Sequence, residues 1–388
     1  MAARLRVQRK ATRHDQRKQN RRLVLQCIVA EGSTSRANIA RATGLTAATV
    51  SDLVAELEDD GLVAKLGTGP SGGGKPPTLY GLNAGARSII AIDLSDGERV
   101  GSLLDLAGTA EYRTARSGTD VQGPTGIDQL IDLIDELLAE TPAPPLGIGI
   151  GTPGVVDDDG TVVEASYLDW HNVPLGAFLA DRYSVPVHII NNSRAAALAE
   201  YSFGNHNAEN LLVVKVGNGI GAGVLLDGRI HRGEDSAAGE IGHVVVNPAG
   251  LRCYCGKNGC LETTASVPRL VDALEAHLPG VDATRRERLS QAATSRDPAV
   301  LATLDEAAVN LGRVLSTTVA ILDIHRVVIT GIIARLGDPL LDRLRSEIDR
   351  AVLPALADKL ELCFGHTGER AVRMGAAALV VSQELGVV

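Results

Sequence analysis

No stretch of this 388-residue chain approaches the roughly eighteen consecutive apolar residues that a bilayer-crossing helix needs, so a helical membrane protein is excluded and no membrane partner is expected. The basic N-terminus has no hydrophobic segment behind it and does not read as a secretory signal. Cysteine is scarce: there are five, and three of them fall within eight residues. That usage argues against a disulfide-stapled secreted scaffold and for a reducing, cytoplasmic setting. No repeat short enough to build a solenoid is present. What remains is an ordinary soluble α/β composition, 45% hydrophobic and 22% charged, in a chain long enough for two or three domains.

The clustered cysteines lie in the most informative stretch. Gly239-Glu240-Ile241-Gly242-His243 is followed, ten residues on, by Cys253-Tyr254-Cys255-Gly256-Lys257-Asn258-Gly259-Cys260-Leu261-Glu262. Three thiolates spaced C-x-C-x4-C, with His243 as the nearest imidazole, make a Cys3His set suited to a closed, structural Zn2+ site. Three buried free cysteines, or a disulfide and a leftover thiol, are the alternatives.

Glu-x-Gly-His followed by C-x-C-G-x2-G-C-x-E resembles the ROK family (repressors, open reading frames and sugar kinases), in which such a knuckle sits beside a sugar pocket. The resemblance implies a two-lobed α/β domain of the sugar-kinase/actin-like (ribonuclease H-like) architecture. Strand-and-helix alternation from Ser88 onward agrees with it. The expected lobes are residues 83–190 and 191–388, with the last helix packing back on the first lobe.

Net charge is −9, yet residues 1–25 hold nine Lys/Arg against one acid, Asp15. An acidic body with a basic arm suggests that one end meets a polyanion. The neighbouring pattern decides the matter. Leu23, Val24, Cys27 and Ile28 line one face of a first helix. Ser35 can cap a second helix through Thr43, Gly44 supplies the turn, and Thr46 caps a third. That third helix, Thr46–Asp59, carries Val50, Leu53, Val54 and Leu57 at i, i+3, i+4 and i+7. Two short strands around a glycine-rich tip at Gly67–Gly74 complete a wing, with Lys75 placed for a phosphate. Residues 1–82 are therefore expected to be a winged helix-turn-helix that binds double-stranded DNA. Ser35, Thr46, Ala47, Ala48, Thr49, Ser51 and Lys75 are its candidate contacts. The alternative is an unrelated three-helix bundle on a flexible linker.

A sugar presents vicinal hydroxyls, each donor and acceptor, and is read by amides, carboxylates and imidazole aimed at particular oxygens. The resemblance places Gly154, Asn191, Asn192, Glu240, His243 and Glu262 in that role. His243 would give one ring nitrogen to zinc and the other to a sugar hydroxyl. Tyr167 is a candidate stacking face, while Trp170 suits the core. Tyr167-Leu168 stands where many relatives have Asn followed by Leu.

A kinase of this family needs an aspartate base and loops that hold ATP phosphates. Here the base position is Asn192, whose amide oxygen is far too weakly basic. The first phosphate loop, normally Asp-x-Gly-Gly-Thr, reads Asp93-Leu94-Ser95-Asp96-Gly97. It lacks the paired glycines and adds a negative charge. The loop Val216–Gly223 keeps its glycines, weak evidence alone. The expectation is thus a sugar-responsive repressor, not an enzyme, forming a homodimer or homotetramer on a roughly palindromic operator. A monosaccharide in the inter-lobe cleft would favour a closed form and so change operator affinity. A sugar kinase with an attached DNA-binding domain, and a regulator controlled by a protein partner, are the rivals.

Overall fold

Thr12 and Asp15 close a reciprocal capping box at the start of α1 (Arg13–Glu31), and Gly32 at φ 64° ends it. The computed structural model describes residues 12–70, 75–95, 97–117, 122–204, 208–278 and 284–387. A two-residue strand, β1 (Thr34–Ser35), leads into α2 (Arg36–Thr43), and left-handed Gly44 turns the chain toward α3 (Ala47–Asp59). The expected apolar set of α3 is buried: Val50, Leu53, Val54 and Leu57 are all at most 1% exposed. On α1 the inward face is Val24, Leu25 and Ile28, whereas Leu23 is exposed. The buried stripe therefore takes in Leu25 in place of Leu23. Strands β2 (Val63–Thr68) and β3 (Thr78–Leu82) pair antiparallel, and β1 adds to β3 as a third strand. This unit reaches Ser88, beyond residue 82, and takes in Asp105–Ala107 and the chain from Val381 onward.

The second unit contains two five-stranded sheets. In the first, β4 (Ile89–Asp93), β5 (Glu98–Leu104) and β6 (Ala110–Ser117) run antiparallel. The seventeen-residue helix α4 (Gly123–Ala139) follows, burying Leu130, Leu133, Ile134 and Leu137. Each such aliphatic side chain contributes about 1.5–3 kcal/mol when fully buried. Next come β7 (Ile148–Thr152), a small sheet of β8 (Val155–Val156), β9 (Val162–Ala165) and β10 (Trp170–Val173), then α5 (Leu175–Arg182) and β11 (Val187–Asn191). The main sheet runs β11-β7-β4-β5-β6, with β4, β7 and β11 parallel.

Helix α6 (Asn192–Phe203) starts the second lobe. Strands β12 (Leu211–Val216), β13 (Ile220–Leu226) and β14 (Arg229–Ile230) form an antiparallel meander. The turn of the long hairpin is Gly217–Gly219, and Asp227-Gly228 turns β13 into β14. Helices α7 (Glu262–Ala265), α8 (Val267–Leu274), α9 (Arg285–Thr294) and α10 (Pro298–Leu322) precede β15 (Arg326–Thr330). Then come α11 (Asp338–Ala351), α12 (Pro354–Ala357), β16 (Glu361–Phe364) and α13 (Ala371–Leu385). This sheet, β14-β13-β12-β15-β16, repeats the plan of the first: three antiparallel strands, then two more strands parallel to the third. The duplicated plan is that of the sugar-kinase/actin-like architecture.

The first half of α13 lies on the first lobe's β7. A Cβ on Gly149 would overlap the Ala376 carbonyl, and one on Gly151 would overlap Val372. Bare backbone at these two positions is what lets the helix approach so closely.

Candidate functional site

The knuckle folds from its own turns. Cys253 N–H bonds Lys257 O at 2.8 Å and Gly256 N–H bonds Cys253 O at 3.0 Å, while Val245 and Cys260 form an isolated bridge. These bonds bring the four candidate ligands together, with one donor atom of each of His243, Cys253, Cys255 and Cys260 lying within 4.8 Å of the others. His243 Nδ1 is 3.5 Å from Cys253 Sγ, and Cys255 Sγ is 3.6 Å from Cys260 Sγ. Edges of about 3.5–3.8 Å are what a tetrahedron with Zn–S near 2.3 Å requires. All three cysteines are free thiols, which sets aside the alternative of a disulfide among them. Burial, then Lys257, holds the His243 imidazole below its ordinary value and favours the neutral ligating form. Burial, reinforced by Cys255 and Cys253, pushes the Cys260 thiol up to about 12. A divalent cation reverses that balance, so the donor set fits a metal.

A cleft of about 400 Å³ opens beside the knuckle, and Gly154, Asn191, Asn192, Glu240, His243 and Glu262 all line it. They arrive from four separate parts of the chain. Asn191 ends β11 and caps α6, its Oδ1 accepting from Ser193 N–H at 2.9 Å and Arg194 N–H at 3.1 Å. Its amide nitrogen donates to Gly154 O at 2.8 Å and lies 3.4 Å from Glu240 Oε1. Asn191 is only 5% exposed, so it shapes the wall more than it offers a free amide. Asn192, the first residue of α6, lines the cleft. Glu262 Oε2 accepts the Ile220 N–H at 3.1 Å. Burial, then the nearby Glu240 carboxylate working against that hydrogen bond, pushes Glu262 up to about 7. Burial also raises Glu240, opposed by Arg194.

Arg194 escaped the sequence reading. It is 3% exposed, donates to the Val156, Arg232 and Ser236 carbonyls, and supplies the positive charge beside Glu240. An arginine on an amphipathic helix reads as solvated, and only the packing of α6 shows otherwise. Tyr254, also missed, stands edge-on to Tyr167 with ring centroids 6.4 Å apart, and both line the cleft. Trp170 is in the core, 1% exposed, its indole N–H bonded to Gly123 O at 3.0 Å. Of the first phosphate loop, Asp96 lies outside the described residues. Asp93 Oδ1 accepts from the N–H and hydroxyl of Ser95, a self-contained turn.

In the N-terminal unit, Thr46, Ala47 and Ala48 are exposed at the start of α3, with Thr49 and Ser51 half-buried beside them. Thr46 Oγ1 accepts the Thr49 N–H at 3.2 Å and so holds the helix start. Lys75 is exposed, and the wing tip at 71–74 lies outside the described residues. Ser35 requires correction: it is 4% exposed and its hydroxyl caps α2 by accepting from Asn38 N–H, so it faces inward. The basic arm also changes. Arg17 pairs with Glu56 and Arg21 with Asp60, both acids of α3 or its cap, while Arg4, Arg6, Arg9 and Lys10 lie outside the described residues.

Comparison with known proteins follows the same two parts. The ROK family matches residues 89–383, and a winged helix-turn-helix DNA-binding family matches residues 17–64. A xylose repressor from Caldicellulosiruptor bescii is 33% identical over 385 residues, covering 94% of this chain and 96% of that protein. The crystal structure of a ROK family transcriptional regulator, a homolog of the Escherichia coli MLC protein, superposes with a TM-score of 0.81 at 25% identity. It covers 96% of this chain and 97% of that one. A ROK family glucokinase from Streptomyces griseus, solved with glucose and AMPPNP, gives a TM-score of 0.67 at 25% identity. It covers 75% of this chain and 98% of its own.

Proposed function

Because this chain belongs to the ROK family and carries a winged helix-turn-helix ahead of its ROK domain, we propose that it is a sugar-responsive DNA-binding transcriptional regulator, a repressor of carbohydrate-metabolism genes. The observation that carries the proposal is the 400 Å³ cleft, where two buried carboxyls, two asparagines and an imidazole converge. Such a set matches the hydroxyls of a monosaccharide. The name of the xylose repressor makes xylose the first sugar to offer.

In this reading His243, Cys253, Cys255 and Cys260 hold a structural zinc ion, which supplies rigidity to the cleft wall and no reaction chemistry. With Nδ1 turned to the thiols, His243 keeps its other ring nitrogen for a sugar hydroxyl. Glu240 and Glu262 accept from hydroxyls, Asn192 reads a neighbouring one, and the Asn191 side chain holds Gly154 in place. Sugar occupancy shifts the population toward a form with different operator affinity, which demands unequal sugar affinity for the two forms. The protein acts in the cytoplasm as a homodimer or homotetramer on a double-stranded operator.

Phosphotransfer is absent in this reading. Asn192 offers no base at the position facing the sugar, and Asp93 is turned to Ser95 instead of bounding a glycine loop. Two assays on the full-length protein test the whole. Fluorescence anisotropy on operator DNA is expected to change with at least one monosaccharide of a pentose and hexose panel. No response to any of them removes the sensor. Coupled ADP-release measurements are expected to stay at background, and turnover abolished by Glu240→Ala would establish the kinase instead.

A further inference from the structure

Aromatic side chains are scarce in this chain: three phenylalanines, one tryptophan and six tyrosines. Two of those tyrosines nonetheless meet at the sugar cleft. Tyr167 sits on the turn that joins β9 to β10. Leu168 and Trp170, both 1% exposed, anchor that turn in the core, and Tyr167 O accepts from Gln122 Nε2 at 3.1 Å. The Tyr167 side chain is left at the cleft, half-buried, with its hydroxyl 3.5 Å from Asn218 Nδ2. Tyr254 comes from the second lobe. Its neighbours Cys253 and Cys255 both belong to the cluster of candidate metal ligands, and the ring between them projects outward.

Tyr254 is 68% exposed, the most exposed aromatic side chain among the described residues. Contact with Tyr167 therefore does not bury it, and core packing does not account for its place. The two ring planes cross at 86° with centroids 6.4 Å apart, so they form a corner instead of a stack. Such a corner leaves ring face free for a third ring. Charge stands on the same cleft: half-exposed Arg269 and exposed Asp272 of α8, paired at 3.7 Å. A pyranose has a face of C–H groups and a rim of hydroxyls. The face suits an aromatic ring, and the rim suits a solvated carboxylate or guanidinium. Glu240, Glu262 and His243 already account for one sugar ring. A cavity of about 400 Å³ falls within the range of about 300–1,000 Å³ that holds a drug-sized ligand, room for two linked rings.

We propose that Tyr167 and Tyr254 form an outer subsite of the cleft, which takes the second pyranose ring of a disaccharide effector. The first ring lies on the inner polar set, and the second rests its C–H face in the aromatic corner with its hydroxyls toward Arg269 and Asp272. The effector class is thus a disaccharide, with the monosaccharide as its weaker-binding part. This inference rests on the sugar reading of the cleft and deepens it.

The test is calorimetric titration of the full-length, metal-replete protein with matched pairs: xylose and xylobiose, glucose and cellobiose, glucose and maltose. At least one disaccharide is expected to bind about tenfold more tightly than its own monosaccharide. Tyr254→Ala is expected to remove about three- to tenfold of that preference and to leave monosaccharide affinity unchanged. Tyr254→Phe is expected to keep the preference, because the ring face and not the hydroxyl makes the contact. Leu251→Ala alters an exposed side chain of the same loop that does not line the cleft, and is expected to change neither affinity. Tyr167→Ala, read on the same pairs, serves if Tyr254→Ala loses its metal. No disaccharide bound more tightly than its monosaccharide, or an undiminished preference in both alanine variants, overturns the outer subsite. Monosaccharide binding in that case leaves the sugar reading standing, whereas failure of every sugar of either size removes that reading and the subsite together.

Discussion

The Glu262 carboxylate accepts the Ile220 N–H at 3.1 Å, tying the end of the cysteine knuckle to the first residue of β13. Ile220 immediately follows the Gly217–Gly219 turn, so one side chain joins the cysteine loop to the glycine hairpin. Glu262→Gln keeps an acceptor for Ile220 and removes the charge offered to a sugar. It is expected to lower monosaccharide affinity by about tenfold, the scale of a lost charge-assisted hydrogen bond, with little change in melting temperature. Calorimetry and circular dichroism check the two halves. Glu262→Ala also loses the Ile220 bond and is expected to lower both.

In the proposed metal site His243 Nδ1 and Cys253 Sγ, 3.5 Å apart, are two of the ligands. Elemental analysis is expected to find one zinc per chain, and Cys253→Ala to lose it. Chelation is expected to lower the melting temperature and weaken sugar binding by about tenfold, because the His243 imidazole loses its orientation. Zinc-free protein that binds sugar normally would dismiss the structural role.

At the start of α3, among the residues proposed to contact DNA, Thr49→Ala and Ser51→Ala are each expected to weaken operator binding by about three- to tenfold and to leave sugar affinity alone. Thr46→Ala is expected to lose about 1 kcal/mol of stability as well, because its hydroxyl caps the helix. Ser35→Ala provides the contrast: as the inward-facing cap of α2 it is expected to cost stability without a specific effect on base recognition. Anisotropy on operator and scrambled DNA separates the two behaviours.

Two glycines of the knuckle separate strain from collision. Gly256 has φ +86° with open space where a Cβ would be, while a Cβ on Gly259, at φ +69°, would overlap the Asn247 carbonyl. Gly256→Ala is expected to cost about 1 kcal/mol, and Gly259→Ala several times more, with loss of bound zinc. Denaturant melts with metal quantification read both.

Glu369 predicts an acid-side change in stability. Burial pushes its carboxyl up, but Arg286 and Arg335 together hold it below the usual carboxylate value of 4.5. A depressed pKa contributes stability that is present above the unfolded value near 4.5 and lost as pH falls through the folded value. Glu369→Gln is therefore expected to flatten the decline in urea midpoint between about pH 6 and about pH 3.

The sequence by itself determined whatever depends on near neighbours. The caps at Ser35 and Thr46, the left-handed Gly44, the α3 stripe and the C-x-C-x4-C loop all arise from contacts a few residues apart, so their spacing shows them. The knuckle motif was long enough to identify the family, and with it the parts of the chain that converge on the cleft. Tertiary structure alone decided which polar groups are inside. Ser35 turns inward, and Arg194 is buried beside Glu240. Burial of a charge depends on elements that pack against it from elsewhere in the chain, and no local periodicity records them.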